Sequence, residues 1–165
     1  MHDKAIPGVK AIRPDREVLT RQNLPYFVGV SGETVQARGL STHIVVIPPG
    51  ARSQPHSHQG YETAIYVLQG RVETRYGPGL AQSVVSEAGD FLFIPPDTPH
   101  EAINLSATEP ARAIVSRNDP AEQDRVVPYP PGAAPPAPNR RSCEGTRHRQ
   151  SYQSRRVMLS RGVRE

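Results

Sequence analysis

Four residues carry the strongest chemical signal in this 165-residue chain: His56, His58, Glu62 and His100. His56 and His58 stand two apart, so on an extended strand both imidazoles leave the same face. Glu62 follows in the same segment. His100 belongs to a second one, Gly89-DFLFI-Pro95-Pro96-Asp97-TP-His100-EAI-Asn104. Imidazole nitrogens with a carboxylate oxygen suit Fe, Mn, Ni, Co or Zn rather than Ca or Mg, which prefer oxygen donors. A divalent ion held with open positions can polarise a substrate oxygen or lower the pKa of bound water. The competing reading is plainer: histidines lining a barrel wall, each satisfied by a polar neighbour. That reading leaves the H-x-H spacing, and the carboxylate just after it, as coincidences.

Four such side chains converge only where short strands meet at tight corners. Glycines and prolines punctuate both segments as corners require. Residues 17–20, 26–30, 40–47, 62–69, 72–76, 82–85, 91–94, 100–104 and 111–116 read as strands. In 40–47, Ile44 and Val46 point to one side and His43, Val45 and Ile47 to the other. In 72–76, Val72, Thr74 and Tyr76 alternate with Arg71, Glu73 and Arg75, which puts the charged set toward solvent. Short strands at this even spacing indicate a sandwich or barrel. No long stretch has helical periodicity, although a turn of helix fits residues 119–125.

The two segments resemble the cupin motifs, G-x(5)-H-x-H-x(3,4)-E-x(6)-G and G-x(5)-P-x-G-x(2)-H-x(3)-N. Gly50, His56, His58, Glu62 and Gly70 fall on the first; Gly89, Pro95, His100 and Asn104 fall on the second. The resemblance implies an all-β fold: a cupin jelly-roll β-barrel (double-stranded β-helix) of the RmlC-like, single-domain type. It implies a mononuclear metal at His56, His58, Glu62 and His100, and pairing as a homodimer through an outer strand. Two departures matter. Seven residues, not six, separate Glu62 from Gly70. A one-residue shift in a strand turns a side chain to the other face unless a bulge absorbs it. Glu62 therefore has three readings: a fourth ligand, a group that orients a histidine or acts as general base, or an outward side chain. Asp97 stands where the second motif has glycine, a substitution that aspartate's tolerance of left-handed dihedrals allows.

A chain of this length allows one domain. Eighteen prolines and thirteen glycines against nine aromatics favour a turn-rich β protein. No apolar run reaches membrane-spanning length. The opening residues, MHDKAIPGVKAIRPDRE, lack the apolar core of a secretory signal. One cysteine, Cys143, excludes an intramolecular disulfide framework, and a cytoplasmic location is expected. The chain divides into an arm at 1–15, the barrel at 16–127, a proline-rich linker at 128–138 and a basic tail at 139–165. The tail is expected to be disordered. It holds eight arginines against Glu144 and Glu165, while the whole chain carries only +4. The barrel is thus mildly acidic, and nucleic acid is not expected as its partner. The tail reads either as an arm for nucleic acid or an acidic partner, or as a dispensable extension.

Other residues carry weaker signals. His43 can hydrogen-bond a ligand if its strand face is the interior one. Tyr66, Thr74 and Tyr76 offer hydroxyls to a cavity or pack at its rim. Arg52 either meets an anionic substrate or stays a solvated charge. Asn104 is expected to cap a strand end, and Phe91 and Phe93, which share a face, to fill the core. The expected function is that of a metal-dependent enzyme acting on a small metabolite: an oxygenase, isomerase, lyase or cyclase. Glu62 or a bound hydroxide would serve as its base. A non-enzymatic small-molecule or metal sensor is the competing class. No basic cluster marks a phosphate pocket, and no helix-turn-helix pattern accompanies the barrel.

Overall fold

The computed structural model describes residues 8–14, 17–121 and 125–130. The basic tail, nearly all of the proline-rich linker and part of the helical turn expected at 119–125 lie outside them. Eleven strands run through the described residues, in chain order: β1 (Glu17–Leu19), β2 (Pro25–Val30), β3 (Ser41–Ile47), β4 (His56–His58), β5 (Thr63–Gln69) and β6 (Arg71–Tyr76). They continue as β7 (Gln82–Glu87), β8 (Phe91–Ile94), β9 (His100–Asn104), β10 (Ala111–Arg117) and β11 (Val126–Pro128). All pairings are antiparallel. They form a six-stranded sheet, β1-β2-β3-β10-β5-β8, facing a five-stranded one, β11-β4-β9-β6-β7. This is the barrel expected from the spacing of the strands, in the jelly-roll form that the resemblance implies.

Period-two alternation decides what fills it. On β3, Ser41, His43, Val45 and Ile47 are buried while Thr42, Ile44 and Val46 are only half-buried. On β10, Ala111, Ala113, Val115 and Arg117 point inward. The apolar cluster joins Leu24, Tyr26, Val45, Ile47, Val72, Ala111, Ala113 and Val115. Full burial of an aliphatic side chain stabilises the fold by roughly 1.5–3 kcal/mol. The turn from β5 to β6 presses on this core. At Gly70 (φ 87°) an added Cβ would lie 3.0 Å from Ala111, so the turn needs glycine for space as well as for dihedral.

Two expectations are corrected. Phe91 and Phe93 do not fill the core: they lie on the outer face of β8, 81 % and 58 % exposed. Ile94 pairs with Thr63 and Leu92 with Ile65, and those residues take the inner phase. The ring of Phe91 lies 4.7 Å from Tyr66 on the outside. The chain also stays in the sheet where an extended linker was expected to begin. Pro128 pairs with His56, and Tyr129 is buried. The Tyr129 N–H donates to the Pro55 carbonyl (2.9 Å), and its hydroxyl accepts the Gly79 N–H (3.1 Å).

Candidate metal centre

The centre is built on β4, the three-residue strand His-Ser-His. One edge pairs with β11, where Val126 meets His58; the other meets β9, where His56 stands opposite His100. Alternation sends His56 and His58 inward, and the cross-strand pair brings His100 to them. Ring centroids are 4.2 Å apart for His56–His100, 4.7 Å for His58–His100 and 5.1 Å for His56–His58. One nitrogen from each ring lies within 4.8 Å of the other two. Asp97 ties the loop before β9 to this strand. With φ 59°, as anticipated for a residue in a glycine position, it donates its N–H to the His58 carbonyl (2.8 Å). Its carboxylate accepts the Gly60 N–H (3.2 Å), a tether glycine could not supply.

Each imidazole is oriented through Nδ1. His56 Nδ1 lies 2.8 Å from the Gln54 carbonyl and His100 Nδ1 2.9 Å from the Thr98 carbonyl. A carbonyl only accepts, so both rings carry their proton on Nδ1 and present Nε2 as a lone pair. His58 Nδ1 meets the Thr63 hydroxyl at 2.7 Å, and Tyr61 stacks on the same ring at 4.9 Å. His58 Nε2 is buried with no protein partner among the described residues. Burial and the neighbouring His100 hold the pKa of His56 well below its ordinary value. The same two causes lower His58. Burial, joined by the charge of Arg117, lowers His100 to about 4. All three are neutral at pH 7, as metal ligation requires. Converging Nε2 atoms backed by Nδ1 hydrogen bonds fit a divalent transition ion.

Glu62 is not brought to this centre. It is exposed, its N–H donating to Asn118 Oδ1 (2.8 Å) and its carboxylate accepting from Asn118 Nδ2 (3.3 Å). Counting back from the inward-facing Val67 in steps of two reaches Ile65 and Thr63, leaving Glu62 on the outer phase. The bulge of β5 lies beyond Val67, toward Gly70, and cannot restore it. Thr63 therefore holds the position expected of the carboxylate, and it contacts a histidine rather than an ion. No carboxylate lines the cavity among the described residues.

Of the weaker candidates, Thr74 is buried and lines the cavity, and Tyr76 lines an outer groove at its mouth. Tyr66 turns outward to Phe91, and Arg52 is exposed. His43 is buried on the inner face, 5.7 Å from the Tyr26 ring and outside the histidine cluster. Asn104 has the structural role expected: its Nδ2 reaches the carbonyls of Ile47 (3.0 Å) and Glu109 (2.8 Å). Sequence reasoning missed Gln22, Tyr26, Thr63 and Arg117, all lining the cavity. For Arg117 the signal was present, because it continues the phase of Ala111, Ala113 and Val115.

Comparison with known proteins places this geometry. The Cupin domain family matches residues 43–117. Germin-like protein subfamily T member 3 of Arabidopsis thaliana is 35 % identical over 104 residues, 60 % of this chain and 44 % of that protein. The chain thus spans less than half the length of that relative. Among solved structures, the Cupin 2 conserved barrel domain protein from Salinispora arenicola is 27 % identical, with a TM-score of 0.56 over 72 % of this chain and 96 % of its own. The polyketide cyclase RemF from Streptomyces resistomycificus has a TM-score of 0.63 over 78 % of this chain and 90 % of its own. At 20 % identity that second likeness is one of fold alone.

Proposed function

We propose, from the match of residues 43–117 to the Cupin domain family, a metal-dependent enzyme acting on a small metabolite, its ion held by His56, His58 and His100. One observation carries this reading: three imidazoles converge, one ring nitrogen of each within 4.8 Å of the other two, with their Nδ1 atoms engaged. Three protein ligands leave positions open, which is the mark of a catalytic rather than a structural site. The bound ion would supply Lewis-acid polarisation of a substrate oxygen or activation of dioxygen. The chain's own part is to position and to exclude water. Thr63 orients His58, the Gln54 and Thr98 carbonyls orient His56 and His100, and Val67, Val72 and Ile94 wall the cavity. Among the described residues no carboxylate lines the cavity, so proton transfer would run through the substrate or water, with hydroxyls such as Thr74 relaying by hydrogen bonds. This arrangement suits isomerisation, lyase or cyclisation chemistry, or oxygenation, without a carboxylate base.

Pairing with a second copy is part of the proposal. Its support is the apolar outer face of the six-stranded sheet, where Phe91 and Phe93 are exposed beside Tyr66.

Elemental analysis of the purified protein beside a His58→Ala/His100→Ala double variant tests the centre. One transition ion per chain, lost in the folded variant, supports it. No metal in either form, and no uptake on reconstitution, leaves a binding barrel without metal chemistry.

A further inference from the structure

We infer that the cavity takes a small organic anion, a carboxylate docked on Arg117. This rests on the metal-dependent reading and adds the substrate class to it. Arg117 is the last inward residue of β10, only 3 % exposed, and lines the cavity that holds the three histidines. Its Nη2 donates to the Tyr26 hydroxyl at 2.8 Å, with the guanidinium carbon 5.5 Å from that ring's centroid. Its Nε and Nη1 are buried and meet no acceptor among the described residues. Arginine stays protonated in proteins, so this is a buried charge with no ion-pair partner among the described residues.

The nearby carboxylates are engaged elsewhere. Asp119 is paired with Arg125 at 2.6 Å, and Glu62 lies outside with Asn118. Three neutral histidines would leave a divalent ion's charge uncompensated, so ion and guanidinium together favour an anion between them. Three of the guanidinium's five N–H donors, one on Nε and two on Nη1, are unmet among the described residues, and each can donate a charge-assisted hydrogen bond to a carboxylate oxygen.

Size narrows the class. The cavity offers about 60 Å³. That is the scale of a carboxylate of a few heavy atoms. A larger substituent would extend through the outer groove, where Tyr76, Val84, Phe93 and Thr98 offer mostly apolar contact beside His100.

The test is calorimetric titration of Co(II)-loaded protein with acetate, pyruvate and benzoate. Butane-2,3-dione serves as the neutral counterpart of pyruvate. The wild type should bind pyruvate at least tenfold more tightly than the dione. Arg117→Gln and Arg117→Met should weaken pyruvate binding roughly ten- to a hundredfold and leave the dione unchanged, with Arg117→Lys intermediate. Equal binding of pyruvate and dione by the wild type overturns the inference. So does undiminished pyruvate binding by a folded Arg117→Gln, or no binding of any of the three anions. Where the variants fail to fold, the wild-type comparison still decides. Cobalt content separates this inference from the reading beneath it. A wild type that takes up no cobalt refutes the metal centre alone, and melting of the metal-free protein then judges the anion site. There pyruvate should raise the Tm of the wild type and not of Arg117→Gln; no rise overturns the inference.

Discussion

The two halves of the barrel interior are made by the same strands in the same inward phase, yet they are chemically opposed. On β3, Val45 and Ile47 lie at one end and Ser41 and His43 at the other. On β5, Val67 is opposed by Thr63, and on β10 the alanines are opposed by Arg117. The apolar half removes hydrocarbon from water and stabilises the fold. The polar half buries imidazoles, hydroxyls and a guanidinium, groups that cost free energy unless a partner meets them. The contrast teaches where stability and chemistry are divided. One half is the frame; the other is ordered against it and completed by what it binds.

That division can be broken deliberately. Ile47→Ala, in the frame, should cost about 2–5 kcal/mol of unfolding free energy in urea while the folded variant keeps its metal stoichiometry. Loss of metal by a folded Ile47→Ala protein would show that the halves are not separable. Thr63→Val should do the reverse. It removes the hydroxyl at His58 Nδ1 and should weaken metal affinity roughly ten- to a hundredfold in a competition titration, with little change in urea midpoint.

A subtler effect follows from acid. Burial, then the charge of Arg117, holds His43 at about 4, against 6.5 in an unfolded chain. The unfolded state therefore binds protons first as pH falls. The metal-free protein's stability should be level above pH 6.5 and decline toward pH 4. His43→Gln should make that decline shallower, measured as urea midpoints across the window, while His56, His58 and His100, lowered in the same direction, keep the remainder. The smallest effect is reserved for Glu62→Gln, which should leave metal affinity unchanged in the titration used for Thr63→Val. A tenfold loss there would return the carboxylate to the centre.

Some of this architecture was readable beforehand. The strands of the barrel were legible because alternation is a local property, and the three histidines because H-x-H needs only an extended backbone to place two rings together. Asp97 was legible as a left-handed position. The phenylalanines of β8 were not: alternation says that Phe91 and Phe93 share a face, and only pairing with β5 says which face. β11 was hidden among prolines. Its place is set by an edge it shares with β4 across some seventy residues of chain.

What the sequence determined by itself was therefore the set of imidazoles, the strand periods and the ambiguity at Glu62. What only the tertiary structure decided was the outward turn of Glu62, the replacement of its carboxylate by the Thr63 hydroxyl, and the arrival of Arg117 in the same cavity. The reason is physical. Strand period is written in neighbouring residues, but which phase faces inward, and which distant side chains share a volume, depends on how two sheets register and close.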